Sequence, residues 1–368
     1  MTHQKNRPLV TFLLLAYNNE AFIREAVNGA FAQTYFPLEI IISDDGSTDR
    51  TFDIIQEMAA NYRGPHLVYI NRNPENLGTC AHVNRVMELV RGDLVIYSHG
   101  DDISLPERTQ VIYEAWESSR HKAGSIYSAY TLIDEAGNII GESLSAGRGN
   151  GARFSSQVAD PYEFVSWRSK VVFGCTMAWS SKVFETFGKL PSHINNVNED
   201  FLLGFRSVLL RSVTYIKEPL VRYRRHGNNV SAGNLEGLSM DKASFKVTEE
   251  KRLRTYTRFA SAFAALACDL QTARDKGLVT ADEFPKLNRE ITRQREMLQM
   301  TIRCIRSPGL SVFGTLCQLL HRGAGPRTIM RLLPRLLPLP LFRASKIVAN
   351  HFRRRLLSAL KGRKSVAQ

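Results

Sequence analysis

The chain has few cysteines, and none of them forms a recognisable set. Cys80, Cys175, Cys268, Cys304 and Cys317 are odd in number, widely spaced and free of any Cys-x-x-Cys pair. That argues against a disulfide scaffold and the common zinc modules, and it predicts a reduced, cytosolic protein. Nowhere do about 18 apolar residues follow one another, so no membrane-spanning helix is expected. The basic residues of positions 1–8 precede no signal-type apolar stretch, because residues 10–16 run directly into Tyr17-Asn18-Asn19-Glu20; export is therefore not expected. There is no internal repeat. Acidic residues are missing from one end: none occurs after Glu296. Residues 1–240 hold 23 Lys and Arg against 26 Asp and Glu, a balance of −3, whereas residues 241–368 hold 26 against 9, a balance of +17. The net charge of +14 thus belongs to the last third, which is composed to meet something anionic.

The chain has 368 residues, 43% of them apolar, enough for a sizeable core. Residues 10–16 and 38–43 are short apolar runs of the kind that form strands buried on both faces. Two more strands are expected at 66–70 and 93–98, with helices at 20–31, 49–62 and 79–90. This alternation predicts an α/β fold, a doubly wound and mostly parallel sheet with a helical C-terminal extension. From residue 125 the pattern is mixed, with a hairpin near 134–137, a helix near 161–167, a strand near 175–179, a helix over 199–210 and a strand over 213–223. Beyond about residue 240 it is helical, with breaks at Pro308-Gly309 and at 323–326. The expected division is a domain over 1–235 and a basic helical region over 236–368.

Three acidic clusters stand where strands end or helices begin: Asp44-Asp45-Gly46-Ser47, Gly100-Asp101-Asp102 and Asn198-Glu199-Asp200. Ligands of doubly wound sheets bind beyond the carboxyl ends of the strands, and gathered carboxylates are costly unless a cation, a donor-rich ligand or a proton transfer uses them. The first cluster offers a carboxylate to an imide N–H of a base; helix capping explains it as well. The second suits Mg²⁺ or Mn²⁺ held between carboxylates and substrate phosphates; turn chemistry and capping are the alternative. In the third, an acid in the first helical turn satisfies the helix dipole, or acts as a general base on an incoming hydroxyl. Together the clusters indicate an enzyme handling a nucleotide diphosphate. His82 and His121, lone on expected helices, receive no role.

The order of these pieces resembles the family 2 glycosyltransferases, GT-A fold enzymes of bacterial type that transfer sugars from nucleotide donors with inversion. The matching pieces are the strand ending in Tyr17-Asn18, Gln33-Thr34, Asp44 to Asp49, Asn76-Leu77-Gly78, Gly100-Asp101-Asp102 with Pro106, Asn198-Glu199-Asp200 and the segment from Tyr223 to Ser231. They span residues 8–232. The resemblance implies that Asp45 binds the base with Asp44 in support, that Asp102 ligates Mg²⁺ or Mn²⁺ with Asp101 beside it, and that Asp200 is the catalytic base. It also implies donor contacts from Tyr17, Asn18, Asn76 and Gly78. Arg224, Arg225 and His226 form a cationic group that could close over a pyrophosphate or an anionic acceptor; a solvated edge strand is the alternative. His99 stands where many relatives carry a further Asp. The Gln-x-x-Arg-Trp segment of processive synthases is lacking, which favours single additions.

Over residues 327–364, Leu-rich pieces alternate with Arg and Lys, as in a basic amphipathic segment lying on an anionic membrane. Packing against the catalytic domain or a partner chain is the alternative, and nucleic acid is not expected as a partner. The expected protein is a metal-dependent glycosyltransferase at the inner face of the cytoplasmic membrane, acting on a glycan or lipid-linked acceptor in surface-polysaccharide synthesis. The alternative is a non-catalytic nucleotide-sugar-binding or scaffold protein of the same fold.

Overall fold

The computed structural model describes residues 7–142, 154–157, 160–166, 174–192, 199–211, 213–227, 242–306 and 318. The basic stripe of 327–364, the expected breaks beyond residue 306, Asn198 and positions 228–231 lie outside the described residues. One compact unit comprises Met1–Ser231 and Ser261–Ile291, and a second comprises Ala232–Ala260 and Thr292–Gln368.

The first half of the chain is a regular βα succession: β1 (Val10–Ala16), α1 (Ile23–Phe31), β2 (Leu38–Asp44), α2 (Thr51–Asn61), β3 (Leu67–Arg72), α3 (Thr79–Met87) and β4 (Leu94–His99). Every residue of β1 and β2 is buried, as expected of apolar strands covered on both faces. β1 pairs in parallel with β2 on one side and β4 on the other, and β2 pairs in parallel with β3. Phe12, Leu14, Ile40, Ile42, Leu94 and Ile96 form the core with Ile23 and Val27 of α1 and with Val111, Ile112 and Trp116 of α4 (Arg108–Ser118). Each such side chain contributes roughly 1.5–3 kcal/mol through burial.

After β4 come the two-residue β5 (Ile103–Ser104), α4, β6 (Ser125–Ile133), β7 (Ile139–Glu142), β8 (Phe154–Gln157), α5 (Pro161–Val165), β9 (Met177–Ser180), α6 (Lys182–Phe187), α7 (Glu199–Leu209) and β10 (Val213–Arg224). The sheet is mixed. Its order is β3-β2-β1-β4-β9-β6-β10-β5, with β7 on β6 and β8 on β10. The parallel run follows the expected βα rhythm, and β9 then enters antiparallel between β4 and β6. β10 pairs in parallel with β6 and antiparallel with β5 and β8. A solvated edge strand at Arg224 is therefore ruled out: β10 lies inside the sheet and the Arg224 side chain is fully buried.

Two long helices follow, α8 (Lys242–Asp275) and α9 (Glu283–Arg306). Within the first compact unit, Arg206 of α7 grips Asp269 of α8 with Nε and a terminal nitrogen, both at 2.9 Å. The same guanidinium donates to the carbonyls of Gly188 and Lys189. Both partners are buried, so each charge depends on the other for compensation. No described helix is long and apolar enough to cross a membrane.

Candidate active site

The carboxyl ends of β1, β2 and β4 hold the first two acidic clusters. The register sets Asp44 opposite Ala16 and His99 opposite Leu15, on either side of β1. Both loops hang from that strand, since the Asp45 N–H donates to Ala16 and the Gly100 N–H to Leu15. With strands about 4.8 Å apart, the clusters are two strand spacings from one another.

Asp44 is buried and turns inward. It accepts the Ser47 N–H at 2.9 Å and a short hydrogen bond from the Ser47 hydroxyl, and Arg72 stands 3.6 Å away. Asp45, also buried, accepts from the Asn73 amide at 2.7 Å and from the N–H groups of Leu77 and Gly78 at 3.0 Å. A carboxylate has about four lone-pair sites, so these three donors leave one for a ligand. The loop from Asn73 to Gly78 is thereby fastened over Gly46, whose φ of +69° and closeness to the Glu75 backbone, 2.6 Å from where a Cβ would lie, leave no room for a side chain. Asn76 accepts the Gly78 N–H. His82 lies buried beneath, its Nε2 2.7 Å from the Ser43 hydroxyl and its Nδ1 3.9 Å from Asp45; burial lowers its pKa. It is a satisfied core histidine. Asn18, at a φ of +52°, accepts the Thr48 N–H and donates its own N–H to Ser47. Tyr17, just past the end of β1, is 43% exposed.

The second cluster is braced from below. Gln33 donates to the Leu105 carbonyl and accepts from Thr109, tying α1 to the start of α4. The motif Gln33-Thr34 therefore supports the site. Asp102 is 1% exposed, and its Oδ1 accepts the Arg224 N–H at 2.9 Å. Its Oδ2 is buried with no hydrogen-bond partner, and His99 Nδ1 is 3.9 Å away. Burial first, then the Asp101 charge, push the Asp102 carboxyl well above the ordinary range. Asp101 receives His226 Nε2 at 3.0 Å; burial opposes its ionisation, but that hydrogen bond and the nearby His99 and His226 hold its pKa below the usual value. Ligand atoms of His99, Asp101 and Asp102 all lie within 4.8 Å of one another. An unpaired buried carboxylate oxygen costs several kcal/mol, and a divalent cation is a fitting partner for it.

Arg224 faces inward. Its guanidinium donates to the carbonyls of Asp101 and Glu135, pairs with Glu25 at 3.1 Å and lies over the Phe22 ring. It holds the Asp102 loop, α1 and the β6–β7 turn together. His226 packs on the Phe22 ring beside it, and Arg225 is exposed.

The third cluster closes the site through a residue that sequence reasoning missed. Asp200 Oδ2 accepts the Gly174 N–H at 3.2 Å, and its Oδ1 accepts the Phe201 N–H at 2.7 Å. A Cβ on Gly174 would lie 3.2 Å from both Asp200 Cβ and His99 Cε1. The Asp200 carboxylate and the His99 ring thus lie against the same glycine. Glu199 is buried and accepts the Tyr97 hydroxyl, whose pKa is raised well above normal by burial and then by Glu199 and Asp200. This anchors the start of α7. Cys175, next to Gly174, is a buried thiol whose pKa is pushed up by burial and then by Asp102.

Residues 11–174 match the Glycosyl transferase family 2 model. Over those residues the chain is similar to the family 2 glycosyltransferases. It is 42% identical over 234 residues to an uncharacterised protein of Mycobacterium tuberculosis, covering 60% of each chain. It is 28% identical over 219 residues to an uncharacterised glycosyltransferase of Rickettsia typhi, covering 60% of this chain and 64% of that one. The chain thus spans less than two thirds of the length of these relatives. Staphylococcus aureus TarS, solved in complex with UDP-GlcNAc, aligns with 80% of this chain and 91% of its own at 14% identity, with a TM-score of 0.47. The matched stretch covers the first two acidic clusters and ends at Gly174, the residue that meets Asp200.

Proposed function

We propose that the chain is a metal-dependent, inverting glycosyltransferase that moves a sugar from a nucleotide-diphosphate donor to a hydroxyl of a glycan or lipid-linked acceptor, in surface-polysaccharide synthesis. The observation that carries the reading is the convergence at Gly174: a carboxylate, Asp200, lies across one glycine from His99, which in turn faces the unpartnered oxygen of Asp102.

Asp200 is the base. Two backbone N–H groups hold its carboxylate in place, against the glycine that also meets His99, where an acceptor hydroxyl would give up its proton. The acceptor oxygen bonds to the anomeric carbon from the face opposite the diphosphate, the bond from that carbon to the diphosphate oxygen breaks, and the hydroxyl proton goes to Asp200. Asp102, with Asp101 beside it, would hold Mg²⁺ or Mn²⁺, which supplies Lewis-acid stabilisation to a leaving diphosphate. Asp45 offers its last lone-pair site to the imide of the base, with Asp44 shaping the turn beneath. Tyr17 offers a ring for stacking, and Asn18, Asn76 and Gly78 form the rim. Arg225 is the exposed cation available to a pyrophosphate, while Arg224 and His226 act by positioning Asp102 and Asp101.

Inversion is tested on the slow hydrolysis of a nucleotide sugar, followed by proton NMR. The first free sugar is expected with the anomeric configuration opposite to the donor's; the same configuration as the donor would rule out single displacement through Asp200.

We place the catalytic machinery in residues 1–235 and a membrane-facing role in the basic residues 236–368, where the balance of +17 over residues 241–368 supports attraction to anionic lipid. The full chain is expected to float with vesicles containing anionic phospholipid, to release at 0.5–1 M salt because screening shortens the Debye length to about 3 Å at 1 M, and to ignore neutral vesicles. Absence from the anionic vesicles at low salt would refute the membrane role and leave the chemistry intact.

A further inference from the structure

The metal-dependent reading gives the cation to the carboxylates. His99, the residue at which this chain departs from many relatives, stands closer to the matter than that reading requires. Its Nδ1 lies 3.9 Å from Asp102 Oδ2, a buried oxygen without a hydrogen bond of ordinary geometry, although the Cys175 thiol acts on the same carboxyl. Two ligands each about 2.1 Å from one ion can stand no more than about 4.2 Å apart. The gap between His99 and Asp102 is therefore one that a single ion spans without moving the backbone. The set formed with Asp101 is looser, with ligand atoms reaching to 4.8 Å, and Asp101 is already held by His226.

The imidazole is also fixed in place. Its ring meets Tyr97 edge-on, with centroids 4.7 Å apart and planes at 76°. On the other side lies Gly174, where any Cβ would press on His99 Cε1 at 3.2 Å. Tyr97 is itself fixed by its hydroxyl bond to Glu199. About 30% of the His99 side chain remains exposed, so a ligand can reach it. A side chain in contact with Tyr97 and Gly174, with one nitrogen 3.9 Å from a buried carboxylate oxygen that lacks a hydrogen bond, has the preorganisation of a metal ligand.

We propose that His99 is a direct nitrogen ligand of the active-site cation, shared with Asp102, and that it tunes this enzyme toward Mn²⁺ over Mg²⁺. Imidazole suits borderline first-row ions, whereas Mg²⁺ prefers an all-oxygen octahedron and gives up water reluctantly. The inference rests on the metal-dependent reading above and adds to it the identity and preference of the ligand set.

The test uses the full-length protein with MnCl₂, alone and with UDP or GDP, and reads pulsed electron paramagnetic resonance of bound Mn²⁺. A ¹⁴N coupling is expected in the wild type, replaced by a ¹⁵N pattern in protein grown on ¹⁵N-histidine, a comparison that needs no variant. It is expected to vanish in His99→Gln while Mn²⁺ still binds. In His99→Asp the Mn²⁺-to-Mg²⁺ affinity ratio is expected to fall on the order of tenfold. Bound Mn²⁺ without histidine nitrogen coupling, or coupling that persists in His99→Gln, overturns this assignment while leaving the carboxylate-held metal standing. Failure of the wild type to bind Mn²⁺ under all three conditions overturns both.

Discussion

Asp200→Asn is expected to lower kcat by about 10² to 10⁴-fold, the contribution typical of a positioned general base, while nucleotide-sugar affinity stays within a few-fold. The amide is nearly isosteric but cannot take the acceptor's proton. It also meets a local conflict: both oxygens of Asp200 accept backbone N–H groups, from Gly174 and Phe201, so an amide nitrogen must face one of them. Asp200→Ala removes that conflict and should show the same loss of turnover. Steady-state kinetics with thermal-shift titration of the donor separates the two effects. If either variant keeps wild-type kcat, Asp200 is not the base.

Asp102→Asn is expected to weaken Mn²⁺ binding by at least about 100-fold, since loss of even an outer-shell partner costs 10–100-fold. The substitution is well suited to the site. Asparagine Oδ1 can keep the hydrogen bond from the Arg224 N–H, so the brace survives while the oxygen facing His99 is replaced. Its metal-free stability carries a second signature. The Asp102 pKa is raised in the folded protein, chiefly by burial and then by Asp101, so the folded state binds the proton more tightly than the unfolded chain. That contribution is fully present below the unfolded pKa and is lost as pH rises through the folded one. In EDTA the variant should therefore gain on the wild type as pH rises from the ordinary carboxylate value of about 4 toward the raised folded one. Mn²⁺ must displace the same proton, so wild-type affinity for the metal should rise over that interval. Calorimetric titration and thermal unfolding check both signs. A wild type whose Mn²⁺ affinity is flat or falling with pH would contradict the placement of the cation on Asp102.

Much of the βα half is legible in the sequence because strands such as β1 and β2 are buried on both faces. Apolar runs such as those of β1, β2 and β4 have few other uses, and the acids that follow them can only stand at the carboxyl edge of the sheet. The expected strands and helices there differ from the structure by a few residues at their ends. Asp44, Asp45, Asp101 and Asp102 could be named from that logic, and Asp200 from its place in the first turn of a helix together with the resemblance. What each touches could not: a run of polar residues shows no sign that Asp45 spends three lone pairs on its own loop.

The missed features all depend on contacts between distant positions. β9 is only four residues long and its neighbours are set by the sheet, so no periodicity marks it as antiparallel. Gly174 gave no signal beyond being a glycine before a short apolar stretch; its value lies in the side chain it lacks between His99 and Asp200. The sequence groups Arg224 with Arg225 and His226 as cations for a pyrophosphate or an anionic acceptor, whereas β10 turns Arg224 into the sheet toward Glu25 and the Glu135 carbonyl. Asp269 lies 63 positions from Arg206, and nothing local pairs them. His99 was visible as a departure from the family pattern, but its bearing on Asp102 needed the conformation of the turn between them.

If these groups act as proposed, the protein turns over a nucleotide sugar. The most direct measurement is release of nucleoside diphosphate by the full-length protein from a panel of UDP-, GDP- and dTDP-sugars, with Mn²⁺ or with EDTA. At least one donor should be consumed with Mn²⁺, with turnover strongly reduced in EDTA and in Asp200→Asn. A wild type that binds nucleotide sugars yet consumes none of them, with or without metal, would contradict the account and leave a binding protein of the same fold.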